Sequence, residues 1–466
     1  MTAPLIVGAM VRTLGAYPSG WRHPGAHADP QQDAAVLRRI ARTAEDAGLD
    51  YLFFGDWLAT GPDLEFRDPY LLARIDPLSA VLYLAGVTER IGLIATVNST
   101  YADPYATARA TASLDVLTRG RAGVNLVTGA EPRAAANHGR DAHADNESRY
   151  DRAEEFVRAL RRLWESWDDD AWIADKESGV LIDASRLRDA DVDGAHVRVG
   201  GPLNVARPPQ AHPPIVHAGT SPRSRALAAA EADIALIGVG ADDVAAAARI
   251  RTGLRADAAA FGRDPDDLKV VAPVLPVVAE TDAAARAIVD RLLLDIPIDD
   301  GVSPHAARPA FPANRSLAAF LDAAGLAEDD PARTARVDDR VPPRAANRFG
   351  DAAHATLELV RRRTGRDIGG RHPITWRHLI AAHAVPANFV VGGPAVIADH
   401  FEQWRDAGAA DGFNVLSAFQ PGQFEAFARL AAPELRRRGL LGRSGETLRE
   451  RLSLGAPRLE RAPVAV

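Results

Sequence analysis

The chain has 466 residues, of which 55 are Lys or Arg and 62 are Asp or Glu, giving a formal charge of −7, and it contains no cysteine. Its length suits two or three ordinary domains or one large α/β barrel with insertions. The lack of cysteine excludes disulfides, thiolate nucleophiles, iron–sulfur clusters and cysteine-bound zinc, and the slight acidity argues against a nucleic-acid surface. No run of about 18 apolar residues occurs, so we expect a cytoplasmic protein that does not contact membranes.

Eight short apolar runs recur along the chain, each bounded by Gly, Pro or Asp, as in strands that are buried on both faces. They cover residues 5–10, 51–54, 91–97, 122–127, 215–218, 234–239, 270–278 and 413–419. Helical patterns separate them, and one helix is predicted to open at Asp103, a capping residue followed by Pro104. This alternation predicts a (β/α)8 TIM barrel; the alternative is a doubly wound open sheet with a second domain.

The seventh run contains Pro273 and Pro276, each of which removes a backbone donor, so we expect a bulge or a strand end there. A barrel of this type needs about 250 residues, which leaves about 200 to be placed elsewhere. We predict one barrel domain over residues 1–466, with insertions at about 168–212 and 296–390 and a C-terminal arm from about 436.

Polar residues follow several predicted strands at their carboxyl ends, where barrels of this kind carry their active sites. Asp56 is either a ligand-binding acid or an acceptor of loop N–H groups. The segment Gly219-Thr220-Ser221 opens a helix, and free N–H groups there can bind a phosphate without lysine. The alternative is that Ser221 only caps the helix. The remaining candidates at these ends are Thr96, Asn125 and Thr128.

Two histidines, His23 and His138, lie on loops after the first and fourth predicted strands and are candidates for direct chemistry. No metal-binding, P-loop, Rossmann or nucleophile-elbow motif occurs, so we expect no metal site and no serine acyl transfer. The arginines of the second insertion could form a pocket for a carboxylate or sulfonate; the alternative is that they face water or bridge subunits. They are Arg344, Arg348, Arg361, Arg362, Arg363, Arg366, Arg371 and Arg377.

Several segments together carry a family resemblance over nearly the whole chain. They include DYLFFGDWLAT at 50–60, SLDVLTRGRAGVNLVTGAEPRAAANHG at 113–139, RYDRAEEFVRALRRLWESW at 149–167 and HAGTS at 217–221. On these segments the chain resembles the bacterial luciferase-like flavin monooxygenase superfamily. The matching branch is that of nitrilotriacetate monooxygenase, pristinamycin synthase and dibenzothiophene-sulfone monooxygenase.

The resemblance implies a luciferase-like TIM barrel that binds FMN as FMNH₂, supplied by a separate NAD(P)H:flavin reductase, with O₂ as oxidant. Carried over to this chain, it places one set of residues around the flavin ring: Asp56, Thr96, Asn125 and Thr128. It places a second set at the phosphate and ribityl chain: Arg149, Tyr150, Gly219, Thr220 and Ser221. Asn125 and Thr96 would position dioxygen and the flavin edge, and His138, or failing that His23, would transfer protons.

The implied reaction inserts one oxygen atom from O₂ into a small organic substrate and cleaves a C–N or C–S bond. A deazaflavin-dependent oxidoreductase and a non-catalytic flavin-binding protein are the alternatives. The family usually has Asn-Phe-Gly where this chain has Asn137-His138-Gly139, which puts a titratable ring near the substrate side. A homo-oligomer, dimer or tetramer, is expected by the same resemblance.

Overall fold

The computed structural model describes residues 3–60, 74–296, 298, 316–382 and 386–460. Its strands are β1 (Ile6–Val11), β2 (Tyr51–Phe54), β3 (Gly92–Asn98), β4 (Ala122–Val127), β5 (Trp172–Asp175), β6 (Val180–Ile182), β7 (Val192–Asp193), β8 (Arg198–Val199), β9 (Ile215–Ala218), β10 (Ile234–Leu236), β11 (Lys269–Val278), β12 (Phe389–Gly392) and β13 (Gly412–Val415).

The α-helices are α1 (Asp33–Asp46), α2 (Pro77–Ala85), α3 (Pro104–Thr118), α4 (Ala134–Asn137), α5 (Asn146–Trp164), α6 (Pro222–Glu231), α7 (Val244–Ala260), α8 (Asp282–Leu294), α9 (Leu317–Ala323), α10 (Pro343–Ala346), α11 (Asp351–Thr364), α12 (Trp376–Ile380), α13 (Pro394–Asp406), α14 (Gly422–Ala426), α15 (Ala432–Arg437) and α16 (Leu448–Arg451). Short 3-10 helices span Gly20–Arg22, Pro30–Gln32, Ala184–Arg186, Pro265–Asp267 and Pro331–Thr334, and a π-helical turn spans Phe427–Ala431.

Eight parallel strands close into a barrel in the order β1, β2, β3, β4, β9, β10, β11, β13, with β13 pairing back to β1. Each overlaps one of the eight predicted apolar runs, so the TIM-barrel prediction is confirmed and the open sheet is excluded. Outward side chains pack on the helices, as Phe413 does on Phe401 of α13 with ring centroids 4.2 Å apart. The predicted helix start is also confirmed, since the Asp103 carboxylate accepts from the Ala106 N–H at 2.7 Å.

The predicted interruption of the seventh strand is wrong, because β11 runs through both prolines. On one side β11 pairs with β10 as far as Val271 and with β12 from Leu275 onward. Pro273 faces that side in the gap between the two partners, where no donor is needed. Pro276 faces the other side, beyond Val274, where pairing with β13 has ended.

The two stretches assigned to insertions are structured differently. Between α5 and β9, the chain forms two antiparallel two-stranded sheets, β5–β6 and β7–β8, outside the barrel. Between α8 and β12, helices α9–α12 surround a core of their own that includes Phe320 and Trp376. That core also contains Leu275 and Val277 of β11, so this helical unit packs beside the barrel wall. No helix in the described ranges is long and apolar enough to cross a membrane.

The amino end of the barrel is filled by the C-terminal segment around α16. Leu448, Leu452 and Leu454 belong to the same buried cluster as the inward side chains of the barrel strands. Gly92 leaves the space they need, because a Cβ there would lie 2.5 Å from a Leu448 methyl group. Arg449 fixes the segment from the side, with its guanidinium 3.1 Å from the Asp233 carboxylate. We call residues 448–454 the barrel plug.

Asp50, at the amino end of β2, is buried and its Oδ2 accepts from the Val7 N–H at 2.8 Å. Burial raises its pKa to about 7. Because the folded-state pKa lies above the unfolded one, the ionised group opposes folding. Its favourable contribution is therefore present near pH 4 and is lost as the pH rises to 7.

Replacing Asp50 by asparagine is expected to make the protein more stable at neutral pH while keeping the hydrogen bond from Val7. The difference in free energy of unfolding between the variant and the natural protein should increase from pH 4 to pH 7, to a few kcal/mol at most. Above pH 7 this difference should stay constant. Denaturation at several pH values measures this difference. A gain that does not vary over this pH range would contradict the assignment.

Candidate active site

The inner wall of the barrel carries polar side chains near the carboxyl ends of β3 and β4. Thr96 and Asn125 are paired in register, face inward and are buried. The Asn125 Nδ2 donates to Thr96 Oγ1 at 2.9 Å, whereas the Asn125 Oδ1 is buried and has no hydrogen-bond partner among the described residues. A buried carbonyl oxygen without a donor costs about 1–3 kcal/mol, and a ligand that donates a hydrogen bond here would remove that cost.

A second inward amide, Asn414 on β13, stands across the barrel from this pair and was not predicted. Its neighbour Phe413 packs outward on helix α13, so alternation along the strand turns Asn414 inward. Its Oδ1 is also buried without a partner in the described part of the chain. A polar residue within an apolar strand was the only signal in the sequence that could have indicated it.

Asp56 lies just after β2, half-buried at the mouth. Its Oδ1 accepts from the Trp57 N–H at 2.8 Å, and its carbonyl oxygen accepts from Arg74 at 3.2 Å. Burial raises the pKa of the Asp56 carboxyl, and Asp76 adds to this, while the hydrogen bond from Trp57, Arg74 and His138 oppose the shift. Asp56 therefore accepts a loop N–H group, which is one of the two interpretations given from the sequence. The charge of His138 also acts on this carboxyl.

The structure separates the two histidines proposed for proton transfer. His138 stacks on Tyr101 with ring centroids 4.4 Å apart, on the loop that leads from β4. His23 stacks on Phe419 at 3.9 Å, and its Nδ1 accepts from the Gly25 N–H. Burial lowers the pKa of His23. Asn137, next to His138, donates to the Leu58 carbonyl oxygen on the loop that carries Asp56, which favours His138 over His23 as the group near Asp56.

The segment Gly219-Thr220-Ser221 ends β9 and opens helix α6. The Ser221 hydroxyl caps the helix by accepting from the Ser224 N–H at 3.1 Å. Gly219 is exposed, and a Cβ there would lie 2.2 Å from Ser224 Oγ and 3.5 Å from the Tyr150 hydroxyl. The missing side chain thus leaves a small cradle lined by hydroxyl groups at a helix N-terminus, the arrangement that binds phosphate.

Buried His217 supports this cradle from below and was not predicted for the site. Its Nδ1 lies 2.7 Å from the Leu126 carbonyl oxygen and its Nε2 lies 2.9 Å from Ser224 Oγ. Burial lowers the pKa of His217. A neutral ring that donates from Nδ1 therefore accepts at Nε2, which fixes the direction of the Ser224 hydroxyl.

Thr128 and Arg149 join the inner wall to the cradle. Thr128 is buried after β4, and its carbonyl oxygen accepts from the Thr100 hydroxyl at 2.6 Å. Arg149 donates to the Gly129 carbonyl oxygen and precedes Tyr150 on α5. The structure therefore brings the candidates from β3, β4 and β9 into one arc along the mouth.

Of the two interpretations of the arginines in the second insertion, the anion pocket is not supported, because five of the eight arginines pair with carboxylates. The pairs are Arg348–Asp330, Arg361–Asp367, Arg362–Asp242, Arg366–Asp290 and Arg377–Asp338. The side chain of Arg363 lies outside the described part of the structure. Three of these pairs lie within residues 330–377, and the other two join α11 or the turn after it to Asp242 and to Asp290 of α8.

A cavity of about 510 Å³ opens at the mouth, on the side of β1, β10 and β11, and includes Met10, Pro273 and Leu416 in its walls. A larger cavity of about 680 Å³ lies at the other end, under residues 455–460. The linings of both cavities include none of the predicted site residues. The catalytic ends of the strands favour the smaller cavity. Within the described ranges, no three His, Asp or Glu side chains form a metal cluster.

A closed parallel barrel with polar groups and a helix N-terminus at the carboxyl ends of its strands defines a TIM-barrel enzyme. Residues 17–411 match the family model described as luciferase-like monooxygenase. The chain belongs to the luciferase-like monooxygenase family, as the resemblance implied.

Named relatives agree with this assignment. The chain is 34% identical to nitrilotriacetate monooxygenase component A of Aminobacter aminovorans, over 97% of each chain. It is 35% identical to dibenzothiophene-sulfone monooxygenase of Rhodococcus erythropolis, over 95% of this chain and 94% of the relative. The crystal structure of riboflavin lyase with modified FMN and riboflavin superposes with a TM-score of 0.74 at 28% identity, over 96% of this chain and 95% of that one.

Proposed function

We propose that the protein is the oxygenase component of a two-component monooxygenase. It uses FMNH₂ from a separate NAD(P)H:flavin reductase, together with O₂, to insert one oxygen atom into a small organic substrate. Cleavage of a C–N or C–S bond follows from that insertion. The observation that carries the proposal is the arc of polar groups between the unpartnered Asn125 carbonyl oxygen and the cradle at Gly219.

Two ends of this arc fit the two ends of FMN. The isoalloxazine ring carries an N–H donor, which suits the Asn125 Oδ1 inside the barrel. The phosphate suits the cradle, because Thr220, Ser221 and the first N–H groups of α6 supply donors without a lysine. Arg149 adds positive charge between Asn125 and the cradle. Its guanidinium group donates only to backbone carbonyl oxygens and to the Asn146 side chain in the hydrogen bonds described, so these partners do not neutralise its charge.

The cofactor, when bound, supplies the electrons that activate O₂, and the protein supplies position and protons. Thr96 and Asn125 hold the ring edge against the inner wall, in a region that water reaches poorly because both side chains are buried. His138 exchanges a proton with the substrate or with oxygen at the mouth, beside Asp56. The name "component A" of one relative supports the need for a second, reducing component.

Replacing both Thr220 and Ser221 by alanine is expected to weaken FMN binding about 10- to 100-fold, because two hydrogen bonds to a charged phosphate are removed. Riboflavin, which lacks the phosphate, should bind the variant as tightly as it binds the natural protein. Titration with FMN, anaerobic FMNH₂ and riboflavin measures all three affinities.

The matched control is Ser316→Ala, which removes the cap of α9 in the second insertion, where the hydroxyl accepts from Ala319. Its FMN affinity should not change. Failure of FMN and FMNH₂ to bind at micromolar concentration would overturn the proposal. Tight binding of a deazaflavin in place of FMN would favour the deazaflavin-dependent oxidoreductase. FMN binding without substrate-dependent oxygen incorporation would favour the non-catalytic flavin protein.

A further inference from the structure

One side of the mouth carries a compact group of aromatic and basic side chains around Tyr101. The His138 ring stacks on the Tyr101 ring within 11° of parallel, and the Arg140 guanidinium lies 5.1 Å from the ring centroid. The Tyr101 hydroxyl lies 2.8 Å from His143 Nδ1. We call these four residues the Tyr101 cluster. Arg140 supplies the permanent positive charge of this cluster.

The cluster lies at the catalytic end of the barrel. Tyr101 follows β3, and the other three residues lie between β4 and α5. Asn137, next to His138, donates to the Leu58 carbonyl oxygen at 2.9 Å, which fixes the cluster against the loop after β2. The groups on β3 and β4 that are proposed to hold the flavin ring therefore lie next to the Tyr101 cluster, further inside the barrel.

Arg140 is one of several arginines that bind backbone carbonyl groups, as Arg149 and Arg152 also do. It donates to the Thr100 carbonyl oxygen at 2.8 Å, and it forms no ion pair with a carboxylate of the described residues. In the second insertion, by contrast, Arg348 and Arg377 each bind an aspartate, at 2.7 and 2.6 Å. An exposed guanidinium that is held in place by a neutral carbonyl group keeps its charge for a ligand.

Charged groups of both signs surround Arg140, since Asp103, Glu131 and Glu155 act on Arg152 or His143 and Asp141 follows Arg140 in the chain. The first three carboxylates are bound to other donors: Asp103 to the Ala106 N–H, Glu131 to Arg133 and Glu155 to the His196 N–H. Arg152 binds carbonyl oxygens of Ser99 and Ala102 close by, and its pKa is lowered by burial and by the charge of Arg140. Burial, followed by the charge of Arg149, lowers the pKa of His143. On the β2 side, burial of the Asp56 carboxyl raises its pKa and favours its neutral form.

We propose that the Tyr101 cluster binds an oxyanion of the organic substrate, a carboxylate or a sulfonate, with Arg140 as the main charged contact. The Tyr101 ring and the His138 ring supply an apolar surface for the carbon skeleton beside that group. This assignment rests on the proposed function, because it places the substrate of the oxygenase at the mouth. It makes Arg140 a specificity-determining residue that discriminates anionic substrates from neutral ones.

The test compares probe anions with their neutral counterparts: succinate with succinamide, and benzenesulfonate with benzenesulfonamide. Dissociation constants come from the concentration dependence of the melting temperature, with and without bound FMN. The natural protein should bind at least one anion more tightly than its amide. Arg140→Gln should weaken that binding about 10-fold, and Arg140→Lys should weaken it less, since the charge is kept. Comparison of the two anions identifies the preferred oxyanion.

The control is Arg437→Gln, which changes the net charge equally on an exposed side chain of α15 and should leave anion binding unaltered. FMN and riboflavin titrations accompany each variant. Unchanged FMN affinity in Arg140→Gln together with weakened anion binding supports the proposal. Equal binding of anions and amides, or of anions by Arg140→Gln and the natural protein, overturns it. Failure of the natural protein to bind FMN would instead contradict the proposed function.

Discussion

Alanine at both Leu448 and Leu452 is expected to lower the free energy of unfolding by about 4–8 kcal/mol, most of the stability of an ordinary domain. Both leucines are fully buried and fill the amino end of the barrel between inward side chains of the strands. Their removal leaves a cavity that the rigid barrel cannot close. Chemical denaturation of the double variant measures the decrease, and the two single variants show how far the effects add.

Leu117→Ala is the matched control for the plug. This leucine is 71% exposed on helix α3, so the same truncation should change the free energy of unfolding by less than about 0.5 kcal/mol. A double plug variant that stays as stable as the control would show that the barrel interior does not depend on residues 448–454.

Leucine in place of Asn125 is expected to weaken the binding of FMN and riboflavin equally, by about 100-fold, because the proposed function assigns the Asn125 amide to the flavin ring and not to the phosphate. The stability of the ligand-free protein should change by about 1 kcal/mol or less. Removal of the hydrogen bond to Thr96 is offset by removal of a buried carbonyl oxygen that has no described partner.

This pattern separates the two ends of the cofactor site. The Thr220 and Ser221 variant should affect FMN alone, whereas Asn125→Leu should affect both flavins. Calorimetric titration of the two flavins against both variants gives the four affinities. Natural affinity for FMN in Asn125→Leu would contradict the placement of the ring against β3 and β4.

The barrel was predictable because each strand is a short run that is apolar on consecutive positions, the pattern of parallel strands buried on both faces. The prolines of β11 were misinterpreted, since the sequence cannot show that Pro273 falls between two successive partner strands. Strand β12 was missed for a related reason: it extends the sheet beside β11 from inside a segment interpreted as an insertion.

The position of a candidate residue at the mouth was predictable where the residue follows a strand, as Asp56 and Thr220 do, because topology alone brings strand ends together. Asn125 lies beside Thr96 because of the register between β3 and β4, which cannot be predicted from the sequence. The stacking of His138 on Tyr101 and the support of Ser224 by His217 depend on side-chain directions from different elements. Those contacts appear only in three dimensions.

The barrel plug links the last part of the chain to the first. Strand β13, which ends at Val415, is the last of the eight barrel strands. The amino end of the barrel is filled only by residues up to Leu454, which are synthesised almost forty residues later. A nascent chain in which all eight strands have been synthesised, but not the plug, is therefore expected to expose Ile6, Ile94 and Val271 to water at the amino end of the barrel. Chaperone dependence should persist until that late stretch has emerged.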